Sequence, residues 1–163
     1  MTRSPVIDAR EALLNLQQAG VCDQAVHFLD SSWHLPTSTR NARQEYEDCH
    51  IEGAQFFDID RMSDPHNPIP HSVPDPAFFA SELQKLGLNQ DDLVICYEQG
   101  PLAMAARAWF LLRLFGHEQV VVLNGGIKAW QEAGGPFSSG RPPAVPKGNF
   151  TAQTPSSSRL CSM

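Results

Sequence analysis

The stretch VICYEQGPLAMAARAWF, residues 94 to 110, has the layout with which enzymes hold a reactive thiol: an apolar strand, a short glycine-containing turn and an apolar helix. Turn N–H groups and the N-terminus of the following helix stabilise an anion at the turn's mouth, which is what a thiolate nucleophile needs. Cys96 lies in this stretch, and its register decides whether it stands at that mouth or merely nearby. A Cys-x5-Arg phosphate-binding loop is excluded, because the residue six positions beyond Cys96 is Leu102. The other cysteines, Cys22, Cys49 and Cys161, are scattered and form no Cys-x-x-Cys pair, so neither a zinc site nor a dithiol couple is expected. No metal or cofactor is implied.

The elements that would position these groups alternate between strand and helix. DAREALLNLQQAG predicts a helix between an N-cap at Asp8 and Gly20, and AVHFLDSSW a short strand with a polar end. NARQEYEDCH reads as helix, placing Cys49 in it, and GAQFFDI as strand. After the loop DPHNPIPHSVPDP comes a helix with Pro76 at N1 and Gly87 at C′. DDLVICY is continuously apolar, the pattern of a strand covered on both faces. A long helix ending at Gly116, the strand EQVVVLNGG and the helix GIKAWQEAG follow. This alternation predicts an α/β fold, a mostly parallel sheet of about five strands with helices on both faces.

Gly125 and Gly126 fall where a strand turns abruptly into a helix, an architectural task that suits residues without a Cβ. His50, between a helix and a strand, reads as a structural tie. From Ser138 onward the text SSGRPPAVPKGNFTAQTPSSSRLCSM is rich in Pro, Ser and Gly and reads as linker or tail, except for an edge strand at NFTAQ.

The chain has 163 residues, enough for one domain with a proper core. Hydrophobic residues make up 42% and charged residues 18%, an ordinary balance for a globular domain. The net charge of −6, without a basic run, argues against nucleic acid as a partner. The longest apolar stretch, Leu102 to Phe115, is broken by Arg107 and Arg113, and residues 1 to 10 lack the apolar core of a signal peptide. No membrane association and a reduced, cytoplasmic setting are expected.

Three stretches carry a resemblance. YEDCHIEGAQFF resembles the rhodanese signature of an aromatic residue, His, an aliphatic residue, Pro, Gly and Ala, with Glu52 in place of the proline. VVVLNGGIKAW resembles the family's second landmark, a strand followed by Gly-Gly and by Ala-Trp on a helix. RNARQEYEDCHIEGAQFFDID, SDPHNPIPHSVP and ARAWFLLRLFG are similar, more narrowly, to the N-terminal half of tandem-domain thiosulfate and 3-mercaptopyruvate sulfurtransferases. The match runs from about Asp8 to Phe150. It implies a three-layer rhodanese-like domain over residues 1–150, with 151–163 a linker or tail leading to a missing C-terminal rhodanese domain.

In catalytic members of the family the nucleophile is the first residue of the loop after the central strand. Aligning strand ends puts Glu98 at that position and Cys96 two residues earlier, roughly 6.6 Å short of it. Cys96 is then a small buried hydrophobe. A carboxylate cannot carry a sulfane sulfur, because the transfer needs a soft thiolate that can hold a persulfide. Glu98 is expected instead to cap the helix beginning near Pro101 or Leu102 as a permanent anion. The resemblance further implies that Asp60 and His71 face a second domain's cysteine, with His71 in a loop stiffened by Pro65, Pro68, Pro70 and Pro74. Arg40 and Arg43 are candidates to face a small anionic sulfur donor, although surface ion pairing explains them equally well.

Two functions stand open. In one, this is the non-catalytic half of a sulfurtransferase that moves sulfur from thiosulfate or 3-mercaptopyruvate to a thiol or cyanide. Its exposed apolar face would then dock on the C-terminal domain or form a homodimer. In the other, it is a free-standing inactive module with a binding or regulatory role.

Overall fold

The computed structural model describes residues 5–18, 25–63, 72–100, 104–141 and 144–153. Its centre is a five-stranded parallel sheet in the order β1-β6-β5-β2-β4, formed by Val6–Ile7, Val120–Leu123, Leu93–Tyr97, Val26–Asp30 and Gln55–Phe56. Five helices complete the layers: α1 (Ala9–Gln18), α2 (Ala42–Asp48), α3 (Pro76–Lys85), α4 (Met104–Leu114) and α5 (Gly126–Glu132). Two short strands, β3 (His50–Ile51) and β7 (Phe137–Ser138), pair antiparallel as a separate ribbon.

β5 shows why the sheet must be central. All five of its residues are buried, and strand alternation sends Val94 and Cys96 into one core while Leu93, Ile95 and Tyr97 enter the other. The first core packs under α3 and α4 through Phe79, Leu83, Ala108 and Leu112. The second packs under α1, α2 and α5 through Ala12, Tyr46 and Trp130. The three-layer arrangement is as the sequence implies.

The local signals act as expected at α3. Asp75 accepts hydrogen bonds from the N–H groups of Ala77 and Phe78, Pro76 opens the first turn, and Gly87 follows the C-cap with φ +82°. Asn41 caps α2 by accepting the Gln44 N–H at 3.0 Å.

The fifth strand of the sheet is Val6–Ile7 and not NFTAQ. Residues 149–153 form no ladder, yet they do not behave as linker. Phe150 is fully buried and its N–H donates to Leu88, while the Gln153 N–H donates to the carbonyl of Phe115. Ahead of that stretch, β7 and the bond from Gly140 N–H to Glu47 tie the start of the proline-rich stretch to α2. Composition alone misread this strap because its anchor is one aromatic residue plus backbone hydrogen bonds. No described helix is long and apolar enough to cross a membrane.

Candidate functional site

Two openings lie beyond the carboxyl ends of the parallel strands, where α/β sheets hold ligands. The first is a crevice of about 180 Å³ at the tips of β5 and β6, lined by Glu98, Gln99, Gly100, Gly125, Gly126 and Lys128. Gly126 has φ +62°, and a Cβ there would stand 2.6 Å from the Glu98 carbonyl oxygen, so the turn accepts only glycine. The Ile127 N–H donates to that same carbonyl at 3.3 Å, locking β5's exit to α5.

Glu98 caps α4, accepting the Ala105 N–H on Oε2 at 2.7 Å. The cap is as expected, but its surroundings disfavour the anion. Burial pushes the carboxyl above its ordinary value, the Ala105 N–H only partly offsets this, and the charge of Asp30 adds to the rise. Cys96 lies inside the sheet, facing Leu29 and Val122 across the ladder, with no exposed surface. Burial pushes its thiol far up, and Glu98's charge pushes the same way. Such a thiol forms no thiolate at neutral pH. Cys49 is not helical but caps the C-terminus of α2, exposed.

Beneath the crevice is a group that sequence reasoning missed. Asp30, at the end of β2, is fully buried. Its Oδ1 accepts the Ser32 N–H at 3.0 Å and the Ser32 hydroxyl at 2.6 Å, and its Oδ2 accepts the Gln99 side-chain amide at 2.9 Å. The Ser32 hydroxyl oxygen accepts the Gln99 N–H at 2.7 Å, and the same Gln99 amide donates to the carbonyl of Cys49 at 2.8 Å. Asp30 thus anchors the β5 loop to β2 and α2. Burial raises its carboxyl despite the Ser32 and Gln99 bonds. The only trace of this in the sequence is the polar run DSS directly after VHFL.

The second opening is a cleft of about 240 Å³ beside α2, and it gathers Arg40, Arg43 and Asp60 with Trp33, His34 and Asp58. Asp60 accepts the indole N–H of Trp33 at 3.1 Å. Arg40 grips Glu45 with Nε at 2.7 Å and Nη2 at 3.1 Å, and Nη2 also donates to the Gln99 carbonyl at 3.2 Å. His34 Nε2 is 2.7 Å from Glu45 Oε1. Burial alone would raise the Glu45 carboxyl, but its bonds with Arg40 and His34 outweigh that and hold it below the ordinary range. Arg43 lies over the Phe56 ring, 4.8 Å from its centroid. Arg61, paired with Glu82 at 2.9 Å, fastens the stretch after β4 to α3.

His50 is a structural tie, as expected: its Nδ1 lies 2.8 Å from the Tyr46 carbonyl and its ring stacks on Tyr46 at 4.0 Å. The Tyr46 hydroxyl donates to the Ala54 carbonyl, closing the same corner. His71, with Pro65, Pro68 and Pro70, lies outside the described residues.

A rhodanese-like domain model matches residues 3–133. The chain is similar to the 3-mercaptopyruvate sulfurtransferase of Rattus norvegicus, 43% identical over 133 residues, covering 80% of this chain and 44% of the relative. It is also similar to that of Escherichia coli K12, 41% identical over 131 residues, covering 80% and 46%. The thiosulfate sulfurtransferase of Gallus gallus is 40% identical over 124 residues, covering 75% of this chain and 43% of the relative. The crystal structure of SseA from Escherichia coli superposes with a TM-score of 0.79 at 37% identity, over 92% of this chain and 55% of that one. The chain therefore spans about half the length of the curated relatives it matches.

Proposed function

We propose a function from one premise: the chain belongs to the family of rhodanese-like domains, and its relatives are sulfurtransferases. The reading is that it forms the N-terminal, non-catalytic domain of a two-domain sulfurtransferase, with the nucleophilic cysteine supplied by a second rhodanese domain. One observation carries it: a partly buried carboxyl fronts the crevice at the tip of β5, while Cys96 lies fully buried two residues back within the strand.

In this reading the cleft beside α2 forms a wall of the composite active site. The donor's sulfur is attacked by the second domain's thiolate, a sulfur–sulfur bond forms, and the donor's bond to that sulfur breaks. From 3-mercaptopyruvate the leaving group is the enolate of pyruvate, which must take up a proton; the persulfide then passes its outer sulfur to a thiol or cyanide. Asp60, fixed by Trp33, and His71 serve as the carboxylate–imidazole pair that moves this proton. Arg40 and Arg43 face the anionic donor. Docking of the second domain is the partner interaction this requires.

The test is complementation. The chain is mixed with the second half of the Escherichia coli 3-mercaptopyruvate sulfurtransferase, and pyruvate release from 3-mercaptopyruvate is followed. Turnover is expected only in the mixture, with H71N and D60N lowering kcat by roughly tenfold or more. Turnover by the chain alone, with persulfide on Cys96, overturns the reading; so does a monodisperse chain that neither binds nor activates any second domain, which marks a free-standing module.

A further inference from the structure

The strap that ends at Gln153 crosses a groove whose walls come from one continuous part of the chain. They are α3, the turn from Gly87 to Gln90, and Phe115 with His117 beyond α4. Within the strap, burial alternates: Phe150 is fully buried, Gly148 and Ala152 are half-buried, and Asn149 and Thr151 are exposed. Period two is the pattern of an extended chain. A peptide held in that way is gripped through its main chain and told apart by alternate side chains.

The main-chain grip is regular. The Gly148 N–H donates to the Gln84 carbonyl at 2.9 Å, the Phe150 N–H to Leu88 at 3.1 Å and the Gln153 N–H to Phe115 at 2.8 Å. The Gln84 side-chain amide returns a bond to the Phe150 carbonyl at 2.8 Å. Every wall of the groove lies between positions 79 and 117, so the strap supplies none of them. Among the described strands it enters no ladder, and residues 144–147 ahead of it are exposed.

Four consecutive residues each meet a separate requirement. A Cβ on Gly148 would stand 1.9 Å from the Leu88 carbonyl oxygen, so the backbone approaches there only as glycine. Asn149 and the Asn89–Gln90 turn bond reciprocally: Asn89 Oδ1 accepts the Asn149 N–H at 2.9 Å, and Asn149 Oδ1 accepts the Gln90 N–H at 2.8 Å. Phe150 meets Phe79 edge-on, with ring centroids 6.0 Å apart, and lies 5.6 Å from the His117 ring. Thr151 donates to Gln90 Oε1 through both its N–H and its hydroxyl, each at 3.0 Å. A slip of one residue breaks the Asn149 bonds and turns Phe150 outward.

We propose that this groove is a peptide-binding site selective for an extended Gly-Asn-Phe-Thr sequence, that residues 148–151 are its built-in ligand, and that the same sequence supplied in trans competes for it. Burial of Phe150 provides the affinity, and Gly148 with the Asn149 bonds provides the selectivity and the register. The site is separate from the crevice and the cleft, and it stands whichever sulfur chemistry the chain serves.

The experiment uses the full ¹⁵N-labelled chain with a protease site inserted between Pro142 and Pro143, cut after folding. The Gln90 amide, whose N–H meets Asn149 Oδ1, is the reporter. The cut chain is expected to stay folded, to keep its C-terminal piece on size exclusion and to hold the Gln90 resonance in place. An excess of synthetic peptide of residues 146–153 should release the piece while that resonance stays, because the same contacts re-form. Peptide carrying Phe150→Ala should compete at least about a hundredfold less well, and Gly148→Ala and Asn149→Ala about tenfold less well. Lys147→Ala, on the exposed flank, should compete like the parent peptide. The substitutions sit in the peptide, so the chain is the same in every arm. Unfolding on cutting would make the strap an inseparable part of the core and overturns the proposal. So does loss of the piece with no rebinding of the 146–153 peptide, or equal competition by the parent and Phe150→Ala peptides.

Discussion

The crevice at the tip of β5 and the cleft beside α2 sit at the same ends of the same sheet, yet they hold charge in opposite ways. In the crevice the loop is fully organised, with Gly126 against the Glu98 carbonyl, Gln99 tied to Asp30 and Ser32, and α4 capped, but the group at its mouth is a carboxyl pushed toward its neutral form. In the cleft the carboxylate Glu45 is drawn into its charged form by Arg40 and His34. The lesson is that loop architecture and reactivity are separable. Here an organised strand–turn–helix is fronted by the Glu98 carboxyl, while the Cys96 thiol lies buried within the strand.

The largest expected difference is in thiol reactivity. Cys49 is exposed and Cys96 wholly buried, so alkylation of native chain should modify Cys49 at least about a thousandfold faster, followed by mass spectrometry. Comparable rates would mean that β5 opens readily, and the contrast would fail. Next comes Gly126→Ala. It places a methyl against the Glu98 carbonyl in a left-handed conformation and should cost about 3 kcal/mol in urea unfolding. A loss under 1 kcal/mol would show the crevice turn to be softer than described.

Asn41→Ala is milder. Removing the cap of α2, the helix that carries Arg43, should cost about 1 kcal/mol and broaden amide resonances around the cleft more than around Glu98. The smallest effects are two opposite pH signatures. Glu45, held below its ordinary 4.5, contributes stability that is present above that pH and lost as the pH falls below it, so E45Q should flatten the acid limb. Glu98, raised above its ordinary 4.5, contributes stability that is present below that pH and lost as the pH rises through its folded value. E98Q keeps an oxygen for the Ala105 N–H and should be slightly more stable than the parent at neutral pH. Shifts of the same sign in both variants would erase the comparison.

Much of this was legible beforehand, for identifiable reasons. The continuous apolar run of β5, the Asp75–Pro76 start of α3 and the glycine pair before α5 are local signals, and local structure obeys them. The register that buries Cys96 follows from counting along one strand. Less was legible where partners are distant in sequence. Val6–Ile7 is too short to announce itself as a strand and becomes one by pairing with Val122 and Leu123. The strap ending at Gln153 looked like linker because its anchors, Leu88 and Phe115, lie far upstream.

Chain composition and periodicity by themselves determined a two-faced parallel sheet and its helices, because each depends on neighbours within a few residues. Tertiary structure alone decided that Asp30 anchors the loop, that Arg40 is committed to Glu45 and the Gln99 carbonyl, and that Arg43 lies on Phe56. A side chain's charge is written in the sequence, but whether that charge is matched, buried or left open is set by what the fold brings within a few ångströms of it.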